Sequence, residues 1–131
     1  MSVIEGVEAV TVHVTDVERS RKFYAEVLGL QEVGPYHPNV RARFALPGTT
    51  TLLTMHIQGP DEGGRDPGTV SGILFNHHDP VAACEEIRAR GGTIVHAPEL
   101  LQTPLMSTML GVFADPDGNE FVIRSPPVYA K

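Results

Sequence analysis

The sequence predicts an α+β fold built from two tandem βαβββ modules in one domain of 131 residues, module one over about residues 7–57 and module two over about 70–125. Three observations predict it. Two β-branched stretches each run straight into a capped helical pattern. A connector dominated by Gly and Pro, with no apolar packing face, separates them at residues 58–69, and the same order of elements returns after it.

In the first module, Val7 to Val14 alternates with the two-residue period of a strand and is rich in Val and Thr. Thr15 to Glu18 has the form of a capping box, and Val17, Phe23, Tyr24, Val27 and Leu28 make an apolar helical face that ends at Gly29. Three short strands are expected near Leu30 to Val33, Arg41 to Leu46 and Thr51 to Ile57, with Pro47 and Gly48 turning the last two. The second module opens with a strand at Val70 to Asn76. Asp79 caps the next helix and Pro80 takes its first position, so the helix covers Val81 to Arg90 and stops at Gly91 and Gly92. Strands near Thr93 to His96, Thr108 to Ala114 and Asn119 to Arg124 follow, and Asp115 to Gly118 turns the last hairpin. Aligning the caps Asp16 and Asp79 pairs Ala9 with Gly72, Thr11 with Leu74 and His13 with Asn76. Aligning the final strands pairs Thr54 with Val122 and His56 with Arg124.

Composition narrows the function classes. A hydrophobic content of 41% with 20% charged residues is ordinary globular composition. No apolar run approaches the roughly 20 residues of a membrane span, and Met1 to Glu8 lacks a basic-then-apolar leader pattern, so no membrane partner and a cytoplasmic location are expected. The net charge of −6, without a Lys/Arg cluster, argues against nucleic acid as a partner. The single cysteine, Cys84, excludes an internal disulfide and a multi-thiolate metal site, and its spacing with Val81 and Ile87 reads as a buried thiol.

Three segments carry a family resemblance: Val14 to Leu30, Ala83 to Gly92, and Phe113 to Ile123 with its Asp115-Pro-Asp-Gly118 turn. Together they resemble the vicinal oxygen chelate superfamily, which contains glyoxalase I, bleomycin-resistance proteins, fosfomycin-resistance enzymes and extradiol dioxygenases. The resemblance covers about residues 7 to 125. It implies a mixed sheet cupped around a central pocket, a homodimer, and in the family's enzymes one divalent metal held by His or Glu from the first and fourth strand of each half. Such a metal polarises two neighbouring oxygens of the substrate.

The family's four ligand positions fall here on Ala9, Thr54, Gly72 and Val122, and none of these side chains is a ligand for such a metal. A slip of one residue reaches Glu8 and Phe121, which alternation turns away from the cup. No metal is therefore expected at the family positions and no cofactor is predicted. Alternation places His13, His56, Asn76, Glu120 and Arg124 on the inward faces. Arg124 suits a carboxylate or phosphate, and His13 or His56 suits proton exchange near neutral pH. Phe44, Leu52, Leu74 and Met109 would supply apolar walls. The expected substrate-binding set is His13, His56, Asn76, Arg124 and Phe44, with His13, His56 and Glu120 as catalytic candidates. Three readings stand: a metal-free pocket binding a small organic molecule with or without acid-base catalysis, a metal-dependent lyase, isomerase or dioxygenase using His13, His56 and Glu120, and sequestration of a drug or metabolite without turnover. Whether the protein is an enzyme is left open.

His77 and His78 precede the second helix cap, where His77 is expected to point outward and His78 to border the pocket. The proline-containing segments Gly34 to Val40 and Ala97 to Leu105 are expected as loops at the pocket mouth, where ligand choice is often set.

Overall fold

Alternating Val and Thr residues commit the start of the chain to a strand, and everything after it is arranged by which face of that strand is covered. The computed structural model describes residues 2–34, 37, 38, 40–57, 67, 68 and 70–131. The chain divides into two compact units, Met1–Pro67 and Gly68–Lys131. Most of the expected connector lies outside the described residues.

The first unit contains β1 (Ala9–Val14), α1 (Val17–Lys22) continuing into a π-helical stretch at Phe23–Val27, β2 (Gln31–Glu32), β3 (Arg41–Ala45) and β4 (Leu52–Ile57). Asp16, not Thr15, is the helix cap, its carboxylate accepting from the Arg19 backbone N–H at 3.1 Å. Thr15 instead takes a hydrogen bond from the Arg19 guanidinium. The last turn widens, with Leu28 N–H donating to the Phe23 carbonyl five residues back at 3.2 Å. This lets the consecutive residues Phe23 and Tyr24 both reach the core, their rings edge to face at 5.1 Å. The sheet has the order β1-β4-β3-β2, with β1 parallel to β4. Val12, Val14, Ala42, Phe44, Leu53 and Met55 form its covered face, packed with Val17, Phe23 and Tyr24. Burying each of the larger of these side chains contributes about 1.5–3 kcal/mol.

The second unit repeats the order. It contains β5 (Val70–Asn76), α2 (Pro80–Ala89), β6 (Thr93–Gln102), β7 (Met106–Ala114), β8 (Glu120–Arg124) and a short β9 (Val128–Tyr129). Strand order is β5-β8-β7-β6, with β5 parallel to β8 and β9 added against β7. Asp79 caps α2 by accepting from Ala82 N–H at 3.1 Å. Its core is Cys84, Ile87, Ile123 and the Phe75, Phe113 and Phe121 rings, which stack at 5.3 to 6.1 Å. The Asp115 turn is held from within: its carboxylate accepts from the backbone N–H of Asp117 and Asn119 and from the Asn119 amide, at 2.9 to 3.0 Å. Gly118, at φ 82°, completes it.

One expectation needs correction here. Ala97 to Gln102 is not loop but the outer half of β6, and only Thr103 to Leu105 turn the hairpin. Pro98 is tolerated because β6 is an edge strand and its register shifts on either side of His96 absorb the irregularity. Of the loop at Gly34 to Val40, Pro35, Tyr36 and Asn39 lie outside the described residues, and His37 bridges back to Arg41. Among the described residues no helix is long and apolar enough to cross a membrane.

Candidate functional site

With the helix covering one face of the first sheet, the other face is left to polar side chains, and the strand registers arrange them in rows. One row is Ala9, Leu52 and Ala45; the next is Thr11, Thr54 and Arg43; the last is His13, His56 and Arg41. A depression of about 300 Å³ lies on this face, lined by Glu8, Ala9 and Thr11, by Arg41 and Arg43, and by Leu52, Thr54 and His56. Its floor is fixed by a side-chain hydrogen bond of 2.7 Å between the Thr11 and Thr54 hydroxyls, and Thr54 is 7% exposed. His13 and His56 are half-buried, with ring centroids 6.4 Å apart and nearly edge to face. Arg43 is tethered by donating to the Gly34 carbonyl at 2.8 Å, whereas Arg41 is exposed.

The same rows exist in the second unit with different chemistry. Glu120 lies between Val70 and Ala114, Val122 between Leu74 and Val112, and Arg124 between Asn76 and Leu110. The sequence alignment of the modules therefore matches strand pairing, since Thr11 opposes Thr54 as Leu74 opposes Val122, and His13 opposes His56 as Asn76 opposes Arg124. The register of β5 slips between Val70 and Leu74, and Gly72 sits in that slip at φ 77°. Arg124 is half-buried, and its Nε is a buried donor with no hydrogen-bond partner among the described residues.

Among the expected site residues, His13 and His56 stand together, as do Asn76 and Arg124, and Glu120 lies two positions along β8 from Val122 on the same face. Phe44 is a correction: it is 0% exposed, on the covered face, with its ring centroid 6.1 Å from that of Tyr24. Met109 likewise alternates with Gly111 and Phe113 onto the face under α2. Arg41 and Arg43 were missed, although the alternation Arg41-Ala-Arg-Phe44 carries the signal. Glu8, expected to face away, reaches the depression from just outside the end of β1. His77, expected outward, is the half-buried member of its pair; its Nδ1 accepts from Asp79 N–H at 2.9 Å and its ring stacks on that of His78.

The family's metal can be tested against these residues. Ala9 and Val122 offer no donor atom, the Thr54 hydroxyl is engaged with Thr11, and Gly72 forms the bulge. Among the described residues no three of His, Cys, Asp and Glu are grouped to hold a metal ion, and the His13–His56 pair is not part of such a group. The donor set does not fit the family's metal. A wider hollow of about 630 Å³ runs along α1, and in it Arg21 is engaged by two carboxylates, its Nε meeting Glu32 at 2.7 Å and its Nη1 meeting Glu18 at 3.7 Å. Cys84 is buried under α2, and that burial pushes its thiol pKa up, with Arg88 acting more weakly in the other direction. A protonated thiol packed in a core is no nucleophile.

Comparison with known proteins agrees with this architecture. Residues 6–123 match the model of the Glyoxalase/Bleomycin resistance protein/Dioxygenase superfamily. No curated protein matches the chain. A solved member of that superfamily from Sphaerobacter thermophilus is 29% identical, with a TM-score of 0.80 over 95% of this chain and 100% of its own. TnmS3, an antibiotic binding protein from Streptomyces sp. CB03234, is 27% identical, with a TM-score of 0.76 over 96% of this chain and 99% of its own. A glyoxalase/bleomycin resistance protein from the same Streptomyces is 27% identical, with a TM-score of 0.68 over 90% of this chain and 98% of its own.

Proposed function

The chain belongs to the Glyoxalase/Bleomycin resistance protein/Dioxygenase superfamily, and from that premise we propose that it binds a small organic molecule on the open sheet faces without the family's metal. One observation supports the reading: the four positions where the family resemblance leads one to expect ligands hold Ala9, Thr54, Gly72 and Val122, and the one with a side-chain donor atom, Thr54, has it bonded to Thr11. What remains is a depression with a hydroxyl floor, an aliphatic edge at Leu52 and a basic row, which suits holding a molecule more than activating it through a Lewis acid. The likeness to an antibiotic binding protein favours sequestration of a drug or metabolite. The reading includes a homodimer, which the family resemblance implies, and the cytoplasmic location expected from the sequence.

A second reading has its own observation. His13 and His56 lie side by side on one face, so either imidazole can take a proton from a bound hydroxyl or acidic C–H, with Arg41 beside His56 to hold the resulting anion. Incubating untagged protein with a library of drug-like and metabolite-like compounds tests both. Sequestration predicts compounds that raise the melting temperature and are recovered with unchanged mass. Recovery of a product whose formation stops in His13→Ala and His56→Ala establishes the acid-base reading. A library in which no compound stabilises the protein contradicts both.

A further inference from the structure

We propose that the depression on the first module takes a bipolar molecule, one that carries an oxyanion at one end and an ammonium group at the other. This rests on the small-molecule reading above and adds the chemical class of the ligand. Every residue lining the depression belongs to the first unit. Arg41 and Arg43 stand two positions apart on β3 and line the same depression, roughly 7 Å from each other along the strand, so their guanidiniums can meet on a single carboxylate or phosphate. A guanidinium keeps its charge across the working pH range, so this end does not depend on the protonation of His56, which opposes Arg41. Neither arginine meets a carboxylate among the described residues. Arg43 donates through Nη2 to the Gly34 carbonyl at 2.8 Å, which orients it without cancelling its charge, and Arg41 is exposed.

The other end of the depression is marked by Glu8, the sole carboxylate among the described residues lining it. The Glu8 carbonyl accepts from Leu52 N–H at 2.8 Å, which continues the ladder between β1 and β4 by one residue and fixes where Glu8 sits. That is three residues, roughly 10 Å along the strand direction, from the row of Thr11, Thr54 and Arg43. Glu8 is exposed and forms no ion pair with either arginine. Two cations and one anion therefore line one depression without cancelling one another. The surface between them is neutral: the Thr11 and Thr54 hydroxyls bonded at 2.7 Å, Ala9, and the aliphatic edge of Leu52. A volume of about 300 Å³ is at the small end of ligand pockets and suits a body of one ring. A ligand with only an anionic head would be repelled by Glu8, whereas an ammonium at its far end turns that repulsion into attraction.

The experiment titrates the full chain with three probes on one skeleton: 4-(aminomethyl)benzoate, which carries both charges, 4-methylbenzoate, which carries the anion alone, and 4-methylbenzylamine, which carries the cation alone. Binding is read from amide shifts in protein NMR spectra, which also locate the probe, for the wild type, an Arg41→Gln/Arg43→Gln variant and Glu8→Gln. The wild type is expected to bind the bipolar probe about fivefold tighter than the acid, and the amine most weakly, with the shifts centred on β1, β3 and β4. Glu8→Gln should bring the bipolar probe and the acid to equal affinity, and loss of both arginines should weaken the bipolar probe about tenfold. Equal affinity of the wild type for these two probes overturns the bipolar class, as does an advantage that survives Glu8→Gln or an affinity unmoved by loss of both arginines. The wild-type comparison needs no variant and decides the matter even if one fails to fold. If none of the three probes binds while compounds of the library still stabilise the protein, the bipolar class alone falls. If the library fails as well, the small-molecule reading falls with it.

Discussion

Thr54 falls at a position where the family resemblance leads one to expect a metal ligand, yet its hydroxyl is spent on Thr11 at 2.7 Å. Replacing Thr11 by Val leaves the largely buried Thr54 hydroxyl without that partner and is expected to lose about 1–2 kcal/mol, whereas Thr54→Val leaves the exposed Thr11 hydroxyl open to water and should lose less. The double variant should lose less than the sum of the singles, and urea unfolding of the four proteins in a mutant cycle checks it; strict additivity would contradict the pair. Cys84 gives a pH prediction. Burial raises its thiol pKa, so the folded chain keeps that proton to higher pH than the unfolded chain, whose thiol ionises near about 8.5. The resulting stability is complete below that pH and is lost as pH rises through the folded value. Melting temperatures from pH 7 to 10 should therefore fall less steeply for Cys84→Ala than for the wild type, and equal slopes would contradict the assignment. At this scale the sequence was only partly legible. Alternation correctly put His13, His56 and Arg124 on the open faces, but Phe44 was given to the pocket although its own strand places it opposite Arg43 and in line with Leu53. Long cationic side chains in a half-exposed strand look like ordinary surface until the neighbouring register is known, which is why Arg41 and Arg43 escaped notice.

Among the elements, β5 shows how backbone conformation constrains a site. Gly72 is in the left-handed region at φ 77°, where a slip in pairing with β8 has to be absorbed, and open space surrounds the place of its missing Cβ. Gly72→Ala should therefore cost about 1–2 kcal/mol from backbone strain alone, read as a lower urea midpoint with an unchanged slope. A neutral effect would show that the bulge relaxes. The same strain opposes restoring a His or Glu ligand at this position. Both helices, their Asp caps and most strand positions were legible because caps, glycine stops and two-residue alternation are local signals. The outer half of β6 and all of β9 were not. Pro98 reads locally as a loop residue, and only its place on an edge strand makes it acceptable. β9 is two residues long and exists through its pairing with Met106 and Ser107, which no local pattern announces. The π-helical turn is equally silent in sequence, since its cause is the need to bury Phe23 and Tyr24 together.

Across the whole molecule, the duplication was legible as an order of elements and extends to matching strand orders and matching cross-strand rows in the two units. Its chemistry was legible only as an absence at Ala9, Thr54, Gly72 and Val122, because reading what replaces a metal centre requires knowing which side chains are neighbours across strands. Those rows hold hydroxyl and apolar side chains, or none, at the positions where the family resemblance leads one to expect His or Glu. The ligand's identity lies beyond these rows, in loop shapes that follow no motif. The most direct test of the account is elemental analysis of untagged protein, paired with titration of its ligand before and after exhaustive chelation. The account predicts no stoichiometric divalent metal and the same affinity in both titrations. Stoichiometric Zn, Ni, Mn or Fe that is lost, together with ligand affinity, in a His13→Ala/His56→Ala variant would contradict it.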